Sequence, residues 1–136
     1  MVKKFEVTGG DFSNAGRVST DIKTLLKSRK IDQEIIRRLA IATFEAEMNI
    51  IMYARKGTIA LHVCRDKVML KIKDEGQGIP NLELAMIEGF STASDEMREL
   101  GFGAGMGLPN IKRNADEFRI ASEIGVGTNL DIRIYL

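Results

Sequence analysis

Between residues 33 and 54 apolar side chains recur at three- and four-residue steps, the spacing of a helix face. Asp32 stands before it as a cap with Glu34 in the first turn, and Arg55-Lys56 followed by Gly57 reads as its stop. The period then changes to two. "TIALHVCRD" and "KVMLKIKDE" alternate apolar and polar across a short Arg-Asp-Lys turn, which predicts a hairpin. Upstream, Lys3 to Val7 predicts a short strand, and Asp11 or Ser13 is placed to cap a first helix ending near Ser28. After Pro80 a weakly patterned segment runs to Leu100, and a helix is expected at about 106–115. "DEFRIAS" and "TNLDIRIYL", joined through "EIGVGT", predict a last pair of strands. There is no repeat, low-complexity tract or linker. Two helices, a hairpin, a helix and a second hairpin predict an α+β two-layer sandwich.

Composition narrows the class without naming a function. The 136 residues suit one domain, and 44% apolar with 29% charged residues is ordinary for a globular protein. The single cysteine, Cys64, lies in an apolar alternating run and reads as a small core residue; with no partner for an internal disulfide it agrees with a reducing cytoplasm. No signal-peptide centre and no membrane-length apolar run occur, so a cytoplasmic protein with no membrane contact is expected. Residues 1–73 hold 15 basic against 8 acidic residues, whereas residues 74–136 hold 5 against 11. The basic residues are scattered and few aromatics interleave with them, which argues against nucleic acid and for a solvated or protein-facing surface.

Three stretches carry candidate chemistry. In "ATFEAEMNIIMYA", Glu45 and Asn49 lie about 40° apart on a helix, among Ile41, Ala42 and Met52. An inward carboxylate needs a partner, a hydrogen bond or a metal; the plain structural alternative is a buried Glu–Asn pair that satisfies local backbone. Glu47 points elsewhere and is expected to be solvated. In "KIKDEGQGI", Asp74 ends the strand alternation and Gly76 and Gly78 follow, a pattern also met in simple turns. In "GFGAGMGL", Gly101, Gly103, Gly105 and Gly107 alternate with apolar residues before a helix start, so the backbone N–H groups can face an anion. Neither glycine cluster has the spacing of a P-loop or of a Rossmann fingerprint.

Taken in order, E-x-x-x-N on a helix, D-x-G-x-G after a strand and G-x-G-x-G before a helix resemble the GHKL ATPases, the gyrase, Hsp90, histidine-kinase and MutL relatives with the Bergerat fold. "IIMYARKGTI", "IEGFST", "GAGMGLPNIKRNADEF" and "GVGT" are similar to the small serine/threonine kinases that regulate bacterial sigma factors, nearest the stressosome switch kinases. The resemblance spans Phe5 to Ile134. It implies one histidine-kinase-like ATPase domain over 1–136, with a mixed β-sheet covered on one face by helices and a lid at about 81–100. It also implies ATP and Mg²⁺. Asp74 would accept from the adenine amino group, Thr128 would help on that edge, and Gly76, Gly78 and Ile79 would border the base. Asn49 would hold Mg²⁺, and Gly103, Gly105, Met106, Gly107 and Leu108 would form the phosphate loop. Glu45 would be the general base.

Two features depart from the pattern. Gly103 stands where some sporulation-type kinases carry an Arg reaching the γ-phosphate, leaving Arg98 as its candidate substitute. The lid is also longer and carries Asp95, Glu96, Arg98 and Glu99. His62, the one histidine, lies in a strand with no acidic neighbour and does not resemble a phosphoacceptor. The implied function is an ATP-dependent protein serine/threonine kinase acting on a STAS-domain antagonist in a sigma-factor partner-switching pathway. The alternative is a nucleotide-gated binding module that sequesters a sigma factor or activates a PP2C-type phosphatase.

Overall fold

The computed structural model describes residues 1–79, 81–87 and 107–136. In chain order these form β1 (Val2–Thr8), a 3₁₀ turn (Phe12–Asn14), α1 (Arg17–Ser28), α2 (Gln33–Tyr53), β2 (Ala54–Val63), β3 (Lys67–Gly76), α3 (Leu82–Ala85), α4 (Gly107–Asn114), β4 (Glu117–Glu123) and β5 (Gly127–Tyr135). The strands make one five-stranded sheet in the order β1-β2-β3-β5-β4. The α+β two-layer sandwich is as expected, with helices on one face.

Alternation along the strands decides which face they cover. The register aligns Phe5, Ile59, Ile72, Leu130 and Ile120 in one row and Leu61, Leu70, Ile132 and Phe118 in the next. Ile59, Leu61, Leu70 and Ile132 are fully buried there, against Val18, Ile22 and Leu26 of α1, Leu39 and Ile50 of α2, and Ile111 of α4. The opposite face carries Lys4, Lys71, Lys73 and Arg119 around the small residues Thr58, Ala60 and Ala121, and no helix among the described residues lies on it.

Four expectations need correction. The sheet is not mixed: every hydrogen-bonded pair among the described strands is antiparallel. β3 and β4 do run the same way, but β5 folds back between them, and two helices rather than one return β1 to β2. Gly57 does not stop α2. The chain passes from Tyr53 straight into β2, where Gly57 faces Asp74 across the ladder and an added Cβ would lie 2.8 Å from Ile50 Cδ1. The first helix starts at Arg17 instead of after Asp11 or Ser13, because Asp11 is engaged by the side chains of Ser13 and Asn14 in the 3₁₀ turn. Cys64 is half-buried at the hairpin turn rather than in the core. Asp32 does cap α2, accepting from Glu34 N at 2.8 Å.

Candidate functional site

Glu45, Asn49 and Tyr53 follow one another at four-residue steps down α2, about 6 Å apart each. Glu45 and Asn49 are half-buried, at the edge of the apolar stripe and not in its middle. The N-terminus of α4 packs on them. A Cβ built on Gly107 would lie 3.1 Å from Asn49 Oδ1 and 3.4 Å from Glu45 Oε2, so the missing side chain leaves both oxygens facing open backbone. One turn along α4, Asn110 Nδ2 donates to Glu45 Oε1 at 3.3 Å. Leu108 and Ile111 turn the other way into the core and anchor this helix. Arg38 fastens its far end, donating from Nε to Asn114 O at 3.1 Å and pairing with Asp116 at 2.8 Å. That pairing and the Tyr135 N–H hold the Asp116 carboxyl below its usual range.

The same line down α2 ends against the second cluster. Gly76 abuts Tyr53 O, with an added Cβ 3.0 Å away. The sheet row that continues the core ends polar, with Gly57, Asp74, Thr128 and Ser122 side by side on the helix-covered face. Asp74 Oδ1 accepts from Thr128 N at 3.1 Å. Burial pushes the Asp74 carboxyl above its usual range, opposed by the backbone N–H groups of Thr128 and Gly76. Ser122 Oγ lies 2.9 Å from Thr128 Oγ1 and accepts from Ile79 N at 2.7 Å, so Ile79 and Thr128 are held by one hydroxyl.

The glycines after Asp74 have a backbone reason. Gly78 (φ +81°) would place a Cβ 2.5 Å from Glu123 O, so its lack of a side chain serves the β4–β5 turn as well as any ligand. Gly127 (φ +148°), outside the expected site set, would place one 2.0 Å from Asp74 O.

Glu45, Asn49 and Gly107 thus meet at one end, and Asp74, Gly76, Gly78, Ile79 and Thr128 at the other. Gly103, Gly105, Met106, Arg98 and the lid beyond residue 87 lie outside the described residues. Within residues 81–87, Asn81 caps α3 by accepting from Leu84 N.

Three contributors were not foreseen. Asn110 and Ser122 are short polar residues in amphipathic elements, where sequence offers no partner. Glu47 is the clearest miss. It is 2% exposed, not solvated, and its carboxylate accepts from the N–H groups of Gly16, Val18 and Ser19 at 3.2–3.4 Å. Gly16, at the α1 N-cap, makes no side-chain cap bond, so Glu47 does the capping from the neighbouring helix. Burial raises the Glu47 pKa and those N–H groups oppose the rise. The signal lay in the geometry: two residues from Glu45 is about 200° around the helix, toward α1.

Comparison with known proteins gives the family. Residues 34–136 match the family described as histidine kinase-, DNA gyrase B-, and HSP90-like ATPases. The chain belongs to this ATPase family. The matched region holds both clusters. The chain is 35% identical over 128 residues to the serine/threonine-protein kinase RsbT of Bacillus subtilis, covering 91% of this chain and 88% of that one. It is 32% identical over 108 residues to the anti-sigma F factor of Caldanaerobacter subterraneus subsp. tengcongensis, and 31% identical to that of a Thermoanaerobacter species, covering 76% of this chain and 72% of each relative. Among the described residues no helix is long and apolar enough to cross a membrane.

Proposed function

We propose that this ATPase-family chain is an ATP-dependent protein serine/threonine kinase of a bacterial sigma-factor partner-switching pathway, whose substrate is a STAS-domain antagonist protein. It works in the cytoplasm through this ATPase domain and binds no nucleic acid. The observation that carries the reading is the meeting of Glu45 Oε2 and Asn49 Oδ1 at the bare backbone of Gly107, one helix away from Asp74. Asp74 accepts a hydrogen bond from the adenine amino group, supported from behind by Thr128. About 12 Å along α2, from Tyr53 to Glu45, separates that end from the phosphate end.

The residues present fit Mg²⁺. Asn49 offers an uncharged hard oxygen beside a position where any side chain would fill the space, and this ion is held by few protein ligands together with phosphate oxygens. When bound, Mg²⁺ neutralises phosphate charge. Glu45 takes the proton of the attacking serine or threonine hydroxyl, whose oxygen bonds to the γ-phosphorus as the bond to the β-bridging oxygen breaks and ADP leaves. The backbone at the start of α4 offers its N–H groups to phosphate oxygens.

Glu45→Gln keeps shape and hydrogen bonding and removes the base. Transfer from labelled ATP to a STAS-domain protein should fall about 10²–10⁴-fold with ATP affinity close to normal. The relatives named anti-sigma F factor favour a second reading, a nucleotide-gated module that sequesters a sigma factor. ATP-dependent partner binding without labelling by the wild type selects that reading.

A further inference from the structure

We infer that Asn110, steered by Arg113, is the positioning residue that fixes the Glu45 carboxylate and assigns Oε2 as its proton-accepting oxygen; this rests on the kinase reading above. Three contacts converge on it. Asn110 Nδ2 donates to Glu45 Oε1 at 3.3 Å, Arg113 Nη2 donates to Asn110 Oδ1 at 2.6 Å, and Glu45 Oε2 faces the Gly107 backbone beside Asn49 Oδ1.

The chemistry of the three groups leaves one arrangement. A guanidinium only donates, and an ionised carboxylate only accepts. A side chain between them must accept on one side and donate on the other, in a fixed sense. Asparagine does both with one planar amide, and Arg113 decides which way that amide is turned. Exchanging O and N would set two donors against each other at Arg113 and two acceptors at Glu45. Oε1 is therefore occupied, and Oε2 remains for the reacting hydroxyl.

The backbone makes the chain of contacts rigid. Asn110 sits one turn into α4, its carbonyl accepts from Asn114 Nδ2 at 2.8 Å, and Arg38 of α2 holds Asn114 in turn. α4 thus grips α2 on either side of the contact to Glu45. Arg113 itself is exposed, and its Nη2 is held on the Asn110 oxygen.

Two measurements separate this positioning role from the kinase reading. In the nucleotide-free chain, the side-chain amide signals of Asn110 in a ¹H–¹⁵N spectrum should move on Glu45→Gln and on Arg113→Ala, and stay near their wild-type place in Arg113→Lys. Asn110→Ala should lower the phosphotransfer rate about 10- to 100-fold, as expected for a misplaced base, with ATP affinity within about twofold. Introduced into Glu45→Gln it should cost less than about twofold more, because groups acting as one unit are not additive. Amide signals indifferent to Glu45→Gln overturn the inference whatever the activity, as does an equal Asn110→Ala loss with and without Glu45. Shifted amide signals in a wild type that transfers no phosphoryl group overturn the kinase reading and leave the positioning standing.

Discussion

Asp74→Asn separates ligand binding from folding because the two effects have opposite signs. One carboxylate oxygen, Oδ1, is taken by Thr128 N at 3.1 Å. An asparagine keeps that bond with its amide oxygen, which places its NH₂ where Oδ2 stood. A donor then faces the adenine amino donor, so one hydrogen bond is lost and a half-buried donor is left unpaired. That costs about 1–3 kcal/mol, roughly 5- to 150-fold in ATP affinity. Stability moves the other way. The Asp74 pKa is raised by burial above its ordinary 3.8, so the folded chain holds its proton more tightly than the unfolded one. Its contribution is present below that ordinary value and is lost as pH rises through the raised one, leaving a penalty at neutral pH. Asparagine removes the penalised charge. Calorimetry with Mg²⁺-ATP should therefore show weaker binding, while nucleotide-free thermal denaturation at pH 7 shows a Tm at or above wild type. Unchanged ATP affinity refutes the adenine assignment. A joint fall in Tm and affinity makes Asp74 a holder of the β3 turn instead.

Two further outcomes follow from buried contacts. Glu47→Gln leaves the three α1 N–H groups with one acceptor oxygen and should destabilise the chain by about 1–3 kcal/mol in urea denaturation. Because the Glu47 pKa is raised from 4.5, wild-type stability should fall as pH climbs from there through the raised value, and the variant should lose that component of the slope. Gly127→Ala drives a Cβ onto Asp74 O at a left-handed φ; a loss of about 1–3 kcal/mol and weaker ATP binding are expected by the same two assays.

What the sequence made legible was whatever one periodicity could carry. The period-two runs placed β2, β3, β4 and β5 within a few residues, and their alternation put Asp74 at the end of a strand whose next polar neighbour is Thr128. Glu45 and Asn49 were legible as a pair because four residues is one helical turn. The same reasoning misplaced Glu47. One amphipathic stripe assumes that the other side of a helix meets water, whereas α2 lies between α1 and α4 with a polar group committed to each: Glu47 to the N-terminus of α1, Glu45 to Asn110 of α4. Arg55-Lys56-Gly57 failed for a related reason. It has the composition of a helix stop, but the Gly57 position is dictated by packing in the sheet, where the Ile50 side chain of α2 lies over it and Lys73 O faces it across the ladder.

The errors and the function have one source. α2 packs against α1 on one side and α4 on the other, and a helix contacted on two sides offers two faces for buried polar groups. The face toward α1 uses its carboxylate to satisfy backbone, and burial shifts its titration without leaving an oxygen open. The face toward α4 holds a carboxylate with one oxygen occupied and the other turned to the bare Gly107 backbone. Two glutamates two residues apart on one helix, similar to each other as sequence, are thereby given different work by the direction from which their N–H donors arrive. On that argument an exchange of roles is not available by moving charge alone. A base at 47 would need the start of α1 to be rebuilt, and a cap at 45 would close the Glu45 oxygen that faces the Gly107 backbone beside Asn49.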